Sequence, residues 1–210
     1  RLDHPKTVDF LEKSDKSKLT LKKVIAPQHH KLEKLLEILQ HIGNQPGIIF
    51  CNFKDSITAV SHYLMDHKIP HGCFHGDLEQ RDRERSLIKF RNGTHQLIVA
   101  TDLAARGLDI PEIQFIIHYE NPPHLEEFTH RNGRTARMHA NGIAYVLQEK
   151  NRRIPPFIEA MKLEEDPLTG KKEIEPTKWK TLFISGGRKD KVSKGDIVGF
   201  LIKEGKLNKN

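Results

Sequence analysis

Hydrophobic positions along this chain switch repeatedly between two periods. Leu19 to Ala26 alternates loosely and predicts a strand. After Pro27, Leu32, Leu35, Leu36, Leu39 and Ile42 recur at helical spacing, and Gly43 closes the stripe. Short apolar runs then predict strands at Gly47–Cys51, His71–His75, Gln96–Ala100, Ile113–Tyr119 and Gly142–Leu147. Between them, helical patterns cover Ser56–His67, Glu79–Arg91, Leu125–His130 and Arg152–Met161. Apolar strands separated by helices imply an α/β fold whose mostly parallel central sheet carries helices on both faces. Ligands of such sheets sit beyond the carboxyl ends of the strands.

The pattern also divides the chain. Residues 1–18 are polar and lysine-rich and read as an interdomain linker, and the chain opens Arg1-Leu2-Asp3, as a piece of a longer protein would. Residues 19–163 form the α/β domain. Residues 164–180, with Asp166-Pro167-Leu168-Thr169-Gly170 and Pro176, have linker composition. From 181 to 210 a second unit begins, with a predicted strand at Leu182–Ile184, a turn at Ser185–Gly187 and a helix at Asp196–Ile202. One strand and one helix cannot bury a core, so this unit reads as the truncated start of a domain.

Composition narrows the partners. The 210 residues carry a formal net charge of +7 and a pI near 9.3, which favours a polyanion, most simply nucleic acid. No apolar run approaches the length of about 20 residues needed to span a bilayer, and no signal peptide is visible. Cys51 and Cys73 lie in apolar runs and read as buried thiols of a reducing, cytoplasmic protein. His71, Cys73 and His75 share one strand face, but no fourth ligand is signalled and no metal site is expected.

Three segments carry candidate chemistry. In His130-Arg131-Asn132-Gly133-Arg134-Thr135-Ala136-Arg137, three arginines spaced three apart return to one helical face. Their planar forks match phosphate oxygens, and Gly133 lets a ligand approach the backbone. The competing reading is a solvated basic face. Gln80 and Arg83 open a helix where free N–H groups favour an anion. Thr101-Asp102-(x)3-Arg106-Gly107-x-Asp109 follows a strand end: Thr101 offers a hydroxyl, Gly107 a close backbone and Asp109 a carboxylate, while Asp102 is expected to N-cap the helix behind it.

The order Phe50-Cys51-Asn52, His75-Gly76-Asp77 with Gln80-x-x-Arg83, Ala100-Thr101-Asp102…Arg106-Gly107-Leu108-Asp109, and His130-Arg131-x-Gly133-Arg134-x-x-Arg137 resembles the C-terminal RecA-like domain of DEAD-box RNA helicases. The resemblance covers about residues 19–162 and implies a RecA-like three-layer fold. It also implies that Arg134 and Arg137 contact the γ-phosphate of ATP bound on a partner RecA-like domain. Asp109 would hold the ribose, and His130 and Arg131 would link nucleotide to the interdomain interface. Gly76, Gln80, Arg83, Thr101 and Gly107 would hold the backbone of single-stranded RNA. Two motifs depart from the family pattern: one has Phe53 where a Thr that contacts RNA is common, and the other has Asn132 where an aliphatic residue is usual and Ala136 where Gly is commonest. Residues 182–201 are similar to the opening of the RRM-like RNA-binding domain of DbpA-like helicases. That likeness makes Arg188, Lys189 and Lys191 candidate phosphate contacts and points to ribosomal RNA and ribosome biogenesis.

The chain contains neither Gly-x-x-x-x-Gly-Lys-Ser/Thr nor Asp-Glu-Ala-Asp. The resemblance therefore implies that Mg2+ and most of the ATP site belong to an N-terminal RecA-like domain, and that these 210 residues alone hydrolyse no ATP. Two other functions are compatible with the same motifs: a non-catalytic RNA-binding or assembly module, and a DNA helicase or translocase of the same superfamily.

Overall fold

The computed structural model describes residues 19–105, 113–135 and 141–206. They divide into two units at Lys180/Thr181.

The first unit is built on six strands: β1 (Leu19–Ala26), β2 (Gly47–Phe50), β3 (His71–Phe74), β4 (Leu97–Ala100), β5 (Phe115–His118) and β6 (Gly142–Glu149). All pair in parallel, in the order β1-β6-β5-β2-β4-β3. Period-two alternation explains why the central strands are apolar throughout. Ile49, Val99 and Ile117 point to one face, where they meet Leu35, Ile38 and Leu39 of α1 (Lys31–Ile42) and Ile57, Val60 and Leu64 of α2 (Lys54–Asp66). Ile48, Ile98 and Ile116 point to the other, against Phe90 of α3 (Gln80–Arg91) and Ala104 and Ala105 of α4 (Asp102–Ala105). A third cluster joins Phe128 of α5 (Leu125–Asn132) to Val146 and Ile158, the last from α6 (Pro156–Ala160).

Three expectations need correction. The helix foreseen over Arg152–Met161 starts only at Pro156: Pro155 sits at the N-cap, and a proline pushes the residue before it out of helical geometry. Asp102 does not cap α4; it is the first helical residue, and its carboxylate is bound elsewhere. Residues 164–180 do not run free. Lys23 and this segment exchange backbone bonds, Lys23 N donating to Glu164 O and Asp166 N to Lys23 O, both at 2.9 Å. Lys172 donates its N–H to Gln40 O (2.8 Å) and its ammonium to Ile42 O (3.0 Å), placing a cation on the open carbonyls of α1 just where Gly43 turns away at φ +80°. Leu168 and Ile174 pack on the core, and the Thr177 hydroxyl donates to Thr94 O at 3.1 Å. The segment is a strap, polar in composition but pinned by backbone bonds and a few side chains.

In the second unit, Leu182–Ile184 forms no strand, because a lone strand has no ladder to join. A 3-10 turn at Arg188–Asp190 and α7 (Lys194–Lys203) follow, the latter opened by a Ser193/Asp196 capping box. Leu182, Phe183, Val198 and Phe200 are exposed.

Candidate functional site

Because every strand runs the same way, the segments leaving β3, β4, β2 and β5 emerge side by side along one rim. Backbone bonds continue across it: Thr101 N donates to Phe74 O (3.2 Å), Cys51 N to Ala100 O (2.9 Å) and Glu120 N to Phe50 O (3.1 Å). The fold thereby gathers His75–Gly76, Thr101, Asn52–Phe53 and Glu120–Asn121, which are far apart in sequence.

At the centre lies Arg131, 1% exposed. Its Nε donates to both Asp102 carboxylate oxygens (2.9 and 3.1 Å), and its Nη2 to Asp102 Oδ2 (2.5 Å) and Asn52 Oδ1 (2.7 Å). Its Nη1 donates to Glu120 O (2.6 Å), and the guanidinium lies 5.0 Å from the Phe50 ring centroid. The planar fork thus ties the ends of β2, β4 and β5 to α5. With four of its five N–H groups engaged inside the domain, Arg131 holds the rim segments in position. Sequence reading missed its partners Asn52 and Glu120. The Glu120 carboxylate accepts from Asn52 N (2.7 Å) and Ser56 Oγ (2.8 Å), and Asn52 Nδ2 donates to Asn121 O (2.9 Å).

The unusual Asn132 has a partner as well. Its Oδ1 faces His118 Nε2 at 3.0 Å, both residues being buried. Burial, reinforced by the Arg131 charge, pushes the His118 pKa down to about 3, so the ring is neutral and Nε2 carries the donated proton. Stacking on Phe128, with ring centroids 4.5 Å apart, completes the pocket.

The remaining described candidates differ in exposure. His130 is exposed, and Arg134 is half-buried in the turn that ends α5, its N–H donating to Arg131 O at 3.1 Å. Arg83 Nη2 donates to His75 O (3.3 Å) and Gly76 O (3.2 Å), so it shapes the loop after β3. Gln80 Nε2 donates to Glu84 along α3 at 3.0 Å, and Lys54 pairs with Asp77 beside them. A Cβ at Gly76 would meet nothing within 4 Å, so the fold itself does not demand glycine there. Gly107, Asp109 and Arg137 lie outside the described residues. Arg188, Lys189 and Lys191 are exposed in the second unit. His71 has both ring nitrogens engaged, by Ser61 Oγ and Ile69 O. Among the described residues no three His, Cys, Asp or Glu side chains converge as a metal site needs. Burial raises the thiol pKa values of Cys51 and Cys73.

The helicase conserved C-terminal domain model matches residues 30–139, the stretch that contains this rim. The chain belongs to that family. Within it, this is a DEAD-box C-terminal RecA-like domain, followed at residues 181–210 by a match to the DbpA RNA binding domain. The helicase domain is similar to the probable ATP-dependent RNA helicase DDX4 of Sus scrofa, 39% identical over 137 residues, covering 64% of this chain and 19% of that protein. ATP-dependent RNA helicase DbpA of Escherichia coli is 34% identical over 200 residues, covering 91% of this chain and 40% of that protein. The chain therefore spans well under half the length of either relative. Among solved structures, E. coli DEAD-box protein SrmB, bound to the regulator of ribonuclease activity A, aligns with a TM-score of 0.60 at 28% identity, covering 63% of this chain and 78% of that one. Among the described residues, no helix of this helicase domain is long and apolar enough to cross a membrane.

Proposed function

We propose that this chain is the C-terminal half of the motor of an ATP-dependent RNA helicase, which unwinds short RNA duplexes or remodels ribonucleoproteins. The observation that carries the reading is the Arg131 clamp. It uses the first arginine of the segment to lock α5 onto the rim, and so sets the next one, Arg134, in the turn immediately beyond it. Arg134 and Arg137 then serve as arginine fingers toward the γ-phosphate of ATP, which an N-terminal RecA-like domain of the same protein presents. His130 lines the interface and Asp109 holds the ribose. The residues here suit one wall of a nucleotide cleft: guanidinium groups for phosphate, with no carboxylate cluster among the described residues for Mg2+, which belongs to the other domain. ATP, once held there, supplies the energy for closing the two domains over RNA.

Gly76, Gln80, Thr101 and Gly107 contact the sugar–phosphate backbone, with Arg83 holding the loop that presents Gly76. Arg188, Lys189 and Lys191 add phosphate contacts from the second unit. The DbpA RNA binding domain match at residues 181–210 supports structured ribosomal RNA as the target, and with it a cytoplasmic role in ribosome biogenesis. The test joins the chain to its N-terminal RecA-like domain and measures ATP hydrolysis with and without RNA. Hydrolysis should depend on RNA and fall about 10³-fold or more in Arg134→Ala. RNA-independent hydrolysis, or activity unchanged by that substitution, overturns the reading.

A further inference from the structure

We propose that Phe53, together with Arg152 and Arg153, forms a base-stacking subsite for single-stranded RNA. The inference rests on the RNA-binding reading above and adds to it a contact with bases rather than with the backbone. Phe53 is 65% exposed, and its backbone is anchored on both sides. On one side Asn52 is fixed through Glu120, Asn121 and Arg131; on the other, Phe53 O accepts the Ile57 N–H at the start of α2 (3.2 Å).

The ring lines a cavity of about 420 Å³ between the β2–α2 loop and the segment after β6. Arg152, Arg153 and Lys31 bring cations to the same cavity, and Asn121 and Gln148 bring amides. Asn121 Oδ1 is buried without a hydrogen-bond partner, so the fold itself leaves an amide unsatisfied at this wall. An aromatic face, guanidinium planes and side-chain amides are what an unstacked base requires: π-surface, cation–π attraction and hydrogen-bonding edges. Glu120 and Glu149 also line the cavity. The carboxylates offset most of the cationic charge, Arg152 pairing with Glu149, so the lining suits a neutral base better than a phosphate or an acidic peptide. The cavity adjoins the rim through Asn52, so a strand lying along Thr101 and Gly76 can turn one base into it.

The test places a single tryptophan at the subsite, Phe53→Trp with Trp179→Phe, in the 210-residue chain. Fluorescein-labelled oligouridine and oligoadenosine are then titrated in at low salt, following both tryptophan emission and RNA anisotropy. Emission should quench in step with the anisotropy rise. Phe53→Ala should weaken binding roughly 5- to 150-fold, with Phe53→Tyr restoring it. Unchanged emission while anisotropy rises, or wild-type affinity in Phe53→Ala, removes the subsite. If Thr101→Val still weakens binding in that case, the backbone-binding rim survives without it. Absence of any anisotropy rise with the wild-type chain removes both.

Discussion

Replacing Arg131 by methionine keeps much of the side chain's volume and deletes its charge and donors. The Asp102 carboxylate, Asn52 Oδ1 and Glu120 O then lose their shared partner. Breaking a buried ion pair from one side costs about 3–5 kcal/mol. The Asp102 side chain is 23% exposed, so water recovers part of its solvation and the lower end, about 3 kcal/mol, is expected. For a chain of this size that corresponds to a fall in Tm of about 6–12 °C, measured by calorimetry. Arg131→Lys should recover little, because one ammonium cannot span three acceptors lying in different directions. Adding Asp102→Asn to Arg131→Met should restore part of the loss by removing the stranded charge, a non-additivity that marks direct coupling. A Tm within about 2 °C of wild type for Arg131→Met, or strict additivity in the double variant, refutes the clamp.

Two further outcomes follow from buried groups and backbone geometry. Burial pushes the His118 pKa down to about 3 and that of His95 to about 4. The unfolded chain, with ordinary histidines near 6.5, therefore binds more protons as pH falls below that value. Urea midpoints should accordingly drop between pH 7 and pH 5, above the range where carboxylates titrate, and a flat profile would contradict the buried neutral rings. Gly43→Ala forces a Cβ onto a residue at φ +80° and within 2.7 Å of Lys172 Cδ, and should cost on the order of 1 kcal/mol or more in urea denaturation; no measurable loss would show that the turn after α1 is free to relax.

Much of the α/β framework is legible in the sequence, because buried parallel strands and amphipathic helices write their periods directly into it. The strand Leu19–Ala26 has the bounds the alternation predicts, and α1 ends where Gly43 does. What escapes is whatever depends on a distant partner. Asp102 has the composition of a cap, but Arg131, 29 positions later, claims its carboxylate. Glu120 stands out by no motif, since its partners lie on the β2–α2 segment. The strap at 164–180 looks like loose chain because its anchors are backbone bonds and scattered side chains with no periodicity, which leave no pattern in the sequence. Arg131 shares the spacing of Arg134 and differs from it in being fully buried where Arg134 is only half-buried.

The position of β1 bears on how such a chain is made. Its partner is β6, with Leu19 opposite Gly142, about 120 residues further along. On a ribosome, β1 emerges first and waits, its backbone unpaired, until nearly the whole domain has been synthesised. The pairing closes a long loop, which makes it late and slow compared with the inner strands. Until then the apolar residues Leu19, Leu21 and Val24 offer other chains an edge to join. The polar strap, which bonds to the opposite side of β1 at Lys23, emerges just after β6. Synthesis order therefore delivers the partner first and the cover second, and the edge is sealed only when both have left the ribosome.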